Sequence, residues 1–200
     1  MLPKLRDLAG LGNPIVACFT SSLSGEGTTT VASQFAVSVA QAGSGDRILL
    51  IDGNQDAPEI HELLGLQESP GLTEVCNHGV PVNQAVQSTE LEQLDAITVG
   101  RRDASAGAFL NSLRFVDLVR QLKQEYDIVV IDCPPLSSGH ATTQLSKEEA
   151  MTALVIEASQ TKREVIEGAL HELELMGANV VGVVLNRRQF FVPSFVYRRL

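Results

Sequence analysis

Residues 20–31 read TSSLSGEGTTTV, directly after the apolar run IVACF at 15–19. A β-branched and aromatic run, a turn carrying two glycines, and then a helix that opens with hydroxyl residues is the spacing of a phosphate-binding loop. In such a loop, consecutive backbone N–H groups curl around an anion and the following helix points its positive end at it. Gly25 and Gly27 permit the curl, because a side chain would block close approach of the backbone. The loop normally carries a lysine just before its hydroxyl pair, and here that position is Thr28. Ser24, Gly25, Glu26, Gly27, Thr28, Thr29 and Thr30 are the candidate phosphate-binding residues.

Outward from this loop, short β-branched runs alternate with helical patterns. Predicted strands are 15–19, 48–51, 96–100, 128–131, 153–157 and 180–185, nearly continuous apolar runs of the kind buried on both faces of a parallel sheet. Between them, Val31, Phe35 and Val39 mark a helix, with a narrow flank of Ala32, Ala36 and Ala40 for close packing, that stops at Gly43. Phe115, Leu118, Val119 and Leu122 mark a second helix, with Asn111 or Ser112 as its N-cap. Thr161 and Glu164 read as a capping box for a third, which ends at Gly177. The pattern predicts a doubly wound α/β fold, mostly parallel, with helices on both faces and ligands at the carboxyl ends of the strands. It is read as one domain over 1–186 followed by a distinct tail over 187–200. That tail holds three of the seven phenylalanines, Tyr197 and four arginines. It either packs back on the domain or serves as an aromatic and basic docking element for a partner or a membrane surface.

Composition sets the class. The chain has 200 residues, 44% hydrophobic and 20% charged, with a net charge of −9. Such a surface repels nucleic-acid backbones on average, so no nucleic-acid partner is expected. Three widely spaced cysteines, Cys18, Cys76 and Cys133, form no metal-ligand pattern and read as free thiols of a reducing compartment. Neither a signal peptide nor a run of about 18 apolar residues is present, which gives a cytoplasmic expectation.

Two carboxylates complete the candidate site. Asp132 ends IVVID and is the candidate Walker B residue, which with Thr29 would hold Mg²⁺. Asp52 ends ILLID and is the candidate for orienting or deprotonating the attacking group. Other polar residues have plainer readings. Cys133 reads as a buried core thiol, His61 as a helix-surface or packing residue, and His140 lacks an identifiable catalytic partner. Ser21, Ser22 and Ser24 lack the setting of a hydrolase nucleophile.

The stretches CFTSSLSGEGTTTVASQFA, ILLIDGNQDAPEIHELLGL, YDIVVIDCPPL and GANVVGVVLN, with PGLTEV after the second, resemble the bacterial tyrosine kinases of capsule and exopolysaccharide synthesis. That group lies within the MinD/ParA class of deviant Walker ATPases, and the resemblance runs from about Ile15 to Asn186. It implies a parallel α/β sheet, ATP or ADP with Mg²⁺ as ligand, and Asn186 at the adenine; a strand-ending side-chain turn is the plainer role for Asn186. It also implies work at the inner face of the membrane beside a membrane-anchored chain-length regulator, homo-oligomers, and phosphorylation of a C-terminal tyrosine cluster.

The departures define the expectation. Thr28 replaces the loop lysine, and Leu23 stands where the MinD/ParA class often has a second one. The second motif, DGNQD, keeps Asp52 but has Asn54 and Asp56. SSGHAT follows Walker B where an Asp is common, the N-terminal Glu/Arg ring motif is not recognisable, and the tyrosine cluster is reduced to Tyr197 as acceptor candidate. A charged hydrogen bond is worth roughly 1.5–3 kcal/mol, so losing the lysine weakens binding about 10- to 100-fold. Losing a transition-state donor commonly costs on the order of 100- to 1,000-fold in rate. Glu26 and Asp56 are expected to add negative charge nearby, with Arg101 and Arg102 as the candidate compensating cations. The leading expectation is a catalytically impaired homologue of these kinases. An active autokinase or ATPase using a substitute cation is the first alternative, and a MinD-like membrane-associated positioning protein the second.

Overall fold

Strand residues pack alternately into two cores, and that alternation fixes the architecture. In β1 (Ile15–Ser21), Val16 and Cys18 face one side while Ile15, Ala17 and Phe19 face the other. The same split recurs in β2 (Ile48–Asp52) and in the central strand, β5 (Ile128–Asp132), with strands numbered in chain order. A strand apolar on both faces must be covered on both, and only helices on either side of a parallel sheet achieve this. The computed structural model describes residues 1–10, 12–101, 110, 112–139, 145, 149–158 and 160–188.

Among the described residues the sheet has seven strands in the order β3-β4-β2-β5-β1-β6-β7. Here β3 is Val86–Ser88, β4 Leu94–Ile97, β6 Met151–Glu157 and β7 Asn179–Asn186. All pairings are parallel except β3 with β4. The doubly wound, mostly parallel α/β fold expected from the sequence is therefore present. Two differences in the strands are informative. The short antiparallel edge strand β3 escaped the periodicity reading, because three half-covered residues carry no pattern. The strand expected at 96–100 lies instead at Leu94–Ile97. Beyond it, the Thr98 and Val99 carbonyls leave the ladder and accept hydrogen bonds from Leu72 and Thr73 N–H.

The close-packing alanine flank expected from the sequence is found in α2 (Thr28–Gln41), which follows α1 (Leu2–Ala9) and β1. Ala32 and Ala36 are the fully buried contact line, whereas Val31 and Phe35 are only partly covered. Small residues let this helix approach the sheet closely, and Phe35 closes the margin against Phe19 at 5.5 Å between ring centroids. On the other face lie α4 (Leu72–His78) and α5 (Leu113–Leu122), with α6 (Arg163–Leu175) over β6; α3 (Ile60–Leu64) adds Ile60 to the α2 core. Ser112 caps α5 by accepting from Phe115 N–H at 3.2 Å. The other cap candidate, Asn111, lies outside the described residues, as do Tyr197 and the tail from 189. No described helix is long and apolar enough to cross a membrane.

The expected capping box at Thr161 and Glu164 is not formed. Lys162 occupies the N-cap of α6 without a side-chain cap, and the Thr161 hydroxyl donates to Glu26 instead. A long-range carboxylate acceptor outcompetes the local N–H, a choice that local sequence cannot reveal.

Gly71 anchors the PGLTEV segment to the end of β4. A Cβ there would lie 2.4 Å from both Thr98 O and Gly100 N, which are backbone atoms that cannot rotate away. Gly71→Ala is therefore expected to destabilise the chain by about 1–3 kcal/mol through overpacking, read as a lowered urea midpoint with unchanged slope.

Candidate nucleotide-binding site

The carboxyl ends of β1, β2 and β5 lie together, since β5 pairs with β2 on one side and with β1 on the other. The loop after β1 turns through Gly25 (φ 86°) and Gly27 (φ 87°), both left-handed. Gly25 has open space around it, so only its backbone angle requires glycine. Gly27 is constrained twice, because a Cβ would also sit 2.2 Å from the Asn186 carboxamide nitrogen. Beyond Gly27, α2 begins with Thr28 and Thr29 buried and Thr30 exposed.

A cavity of about 160 Å³ opens over this turn. Ser24, Gly25, Gly27, Thr28, Thr29 and Thr30 line it, and Cys133, Glu59 and Arg187 contribute to its walls. Seven consecutive positions were singled out from the sequence, and six of them meet here. The seventh, Glu26, does not line the cavity. Its carboxylate is buried, accepts from Leu23 N–H at 2.8 Å and Glu157 N–H at 3.3 Å, and takes the Thr161 hydroxyl as a third donor. Of Glu26 and Asp56, expected to add negative charge nearby, neither lines the cavity: Glu26 is turned inward as a brace, and the carboxylate in the lining is Glu59.

Asp52 and Asp132 are register partners across β2 and β5 and are both fully buried. Asp52 accepts from Asn54 N–H at 3.1 Å and Ile60 N–H at 3.2 Å. Neither carboxylate oxygen of Asp132 has a hydrogen-bond partner; the Thr29 hydroxyl faces it outside ordinary hydrogen-bond geometry and offsets only part of its destabilisation. Burial pushes Asp52 up to about 7 despite its backbone donors. Burial, followed by the adjacent Asp52, holds Asp132 well above the usual carboxylate range. Two carboxyl groups at neighbouring strand ends in a low dielectric do not both ionise near neutrality. A buried, unsatisfied carboxylate facing a hydroxyl beneath a left-handed glycine turn is the donor set that a phosphate-bound Mg²⁺ fits.

Asn186 ends β7, and its carboxamide is engaged on both sides: Nδ2 donates to Glu26 O at 2.9 Å and Oδ1 accepts from Arg187 N–H at 2.9 Å. Arg101 lies elsewhere, its N–H donating to Glu74, and does not line the cavity; Arg102 and His140 fall outside the described residues. Sequence reasoning missed Arg187, although it follows a residue already singled out. The clue was topological, since nothing local places the end of β7 beside the loop after β1. Cys133 is buried with its thiol toward Ile131 O at 3.7 Å, and Cys18 has its own thiol raised by Cys133 and by burial. His61 is partly covered on α3, with Glu62 at 3.9 Å.

These features have counterparts in known proteins. The AAA domain family matches residues 16–176. The kinase domain of VpsO is 31% identical, with a TM-score of 0.80 over 88% of this chain and 86% of that one. The chain belongs to the bacterial tyrosine kinase family. Within that family it is 29% identical to the tyrosine-protein kinase YwqD of Bacillus subtilis over 170 residues, 85% of this chain and 71% of YwqD. The chimerical protein CapA2B2 superposes with a TM-score of 0.83 at 28% identity, over 92% of this chain and 80% of the chimera. The chain is thus a homologue of capsule and exopolysaccharide tyrosine kinases, on a P-loop NTPase fold.

The carboxylate pair makes stability pH-dependent. Between the ordinary carboxyl value of 3.8 and about 7, the folded chain keeps a proton on Asp52 that the unfolded chain releases. Stability therefore falls as pH rises through that window, by up to about 1.4 kcal/mol per unit for each raised group. Asp132→Asn removes one titration, so its melting temperature relative to wild type is expected to rise between pH 5 and pH 8. At about 2–4 °C per kcal/mol, calorimetric melts in the absence of divalent ions resolve the difference.

Proposed function

We propose that the chain is a catalytically impaired member of this family, acting as a cytoplasmic subunit in capsule or exopolysaccharide synthesis or export. One observation carries the reading: the loop from Ser22 to Thr30 holds no cation, yet it sits beside two buried carboxylates. In this arrangement the amides of 24–30 would hold the phosphates of ATP or ADP, and Thr29 with Asp132 would hold Mg²⁺. The metal, when bound, supplies positive charge to the phosphates. Thr28 offers a neutral hydroxyl where a lysine would meet the charge that develops during phosphoryl transfer, so binding persists weakly while transfer is lost.

The described side-chain braces of the loop come from residues other than 28, and this supports retention of the fold for a purpose other than chemistry. Its braces are Glu26, Thr161, the Glu157 N–H and Asn186. The partner implied by the family resemblance is a membrane-anchored chain-length regulator, which would hold the chain at the inner face of the membrane. The 187–200 segment, with its aromatic and basic residues, is the candidate contact. Tyr197 is the acceptor that residual transfer would use.

Purified chain incubated with Mg·ATP is expected to show no turnover and no phosphotyrosine. Thr28→Lys is expected to restore measurable turnover. Measurable wild-type turnover with phosphotyrosine at Tyr197, abolished by Asp132→Asn, would overturn the proposal.

A further inference from the structure

Among the described residues lining the loop cavity, Arg187 alone carries a fixed positive charge. Its position follows from the brace that shapes the loop. The Asn186 carboxamide ties Glu26 O to Arg187 N–H, so the backbone of residue 187 is held to the rim beside Gly27. Arg187 adopts φ 51°, the only non-glycine left-handed residue described. That conformation is relaxed for Gly or Asn and strained for a long side chain. The strained residue stands where β7 ends, and it is the one that lines the cavity.

The guanidinium rests on Glu157, with Nη1 3.2 Å from Oε2, and the Arg187 side chain is 56% exposed. A surface pair of this kind holds weakly, so the fork can leave Glu157 for a better acceptor. Glu157 does not line the cavity, but its N–H donates to Glu26, which braces the loop. A planar five-donor fork matches a phosphate in two-point fashion, which a lysine's single ammonium does not.

We propose that Arg187 supplies the cation that the loop lacks at position 28, engaging the terminal phosphate of a Mg-bound nucleoside di- or triphosphate after release from Glu157. This rests on the reading of the loop as a nucleotide cradle and refines it. A guanidinium reaching in from the rim on a flexible stem contributes to affinity, but it is poorly preorganised for the transferring group. Binding through Arg187 and impaired transfer are therefore compatible.

The test is calorimetric titration of the full chain with Mg·ADP, comparing wild type, Arg187→Gln, Arg187→Lys, Glu157→Gln and Thr28→Lys, with thermal melts to confirm that each variant folds. Arg187→Gln is expected to weaken binding about tenfold or more, Arg187→Lys to retain part of it, and Glu157→Gln to tighten it. In a Thr28→Lys background the Arg187→Gln effect is expected to shrink, because the two cations then serve one charge. Equal affinity of wild type and Arg187→Gln would overturn the assignment. Binding by Thr28→Lys with none by wild type would also overturn it, while leaving the impaired-kinase reading intact. Absence of binding in both would remove the nucleotide cradle along with it.

Discussion

The pairing of β5 between β2 and β1 sets the electrostatic problem that this molecule must solve. It places Asp52 and Asp132 at matching positions on adjacent strands and brings both under the loop that follows β1. Carboxylates buried this deeply repel each other across a medium that screens poorly, so they either share protons or surround a cation. Family members with a lysine in the loop supply part of that positive charge from the loop itself. Here the loop contributes hydroxyls and amides only, and the balance shifts to protons, to a metal ion, or to a charge arriving from the rim.

The loop nonetheless keeps its shape, because its shape was never the lysine's responsibility. Glu26 is satisfied by two main-chain donors and a hydroxyl, and Asn186 reaches across from β7 to hold the carbonyl before Gly27. These contacts tie β1, β6, β7 and the start of α6 into one rigid corner. A binding surface for a protein partner needs that corner as much as a phosphoryl donor does. The architecture around the loop is therefore held by contacts that lie outside position 28.

The same corner shows why substitutions at single motif positions are poor guides taken alone. Glu26 read as a hazard to anion binding and turned out to be the internal brace. Thr161 read as a helix cap and is a donor to that brace. Beyond Leu23, the partners lie more than a hundred residues away along the chain, 131 for the Glu157–Glu26 contact and 135 for the Thr161–Glu26 contact. The polar atom takes the acceptor that burial makes strongest, not the nearest one in sequence.

By itself, the sequence determined the strand runs at 15, 48, 128, 153 and 180, the glycine turn, the helix after it and the two strand-end carboxylates. Each follows from local rules: side-chain alternation, backbone freedom at glycine, and the need of a doubly buried strand for apolar residues on both faces. The tertiary structure alone decided that Asp52 and Asp132 are neighbours, that Thr161 and Asn186 brace the loop after β1, and that Arg187 lines the cavity over the glycine turn. Strand order is set by how whole layers cover one another, and no window of sequence contains that information.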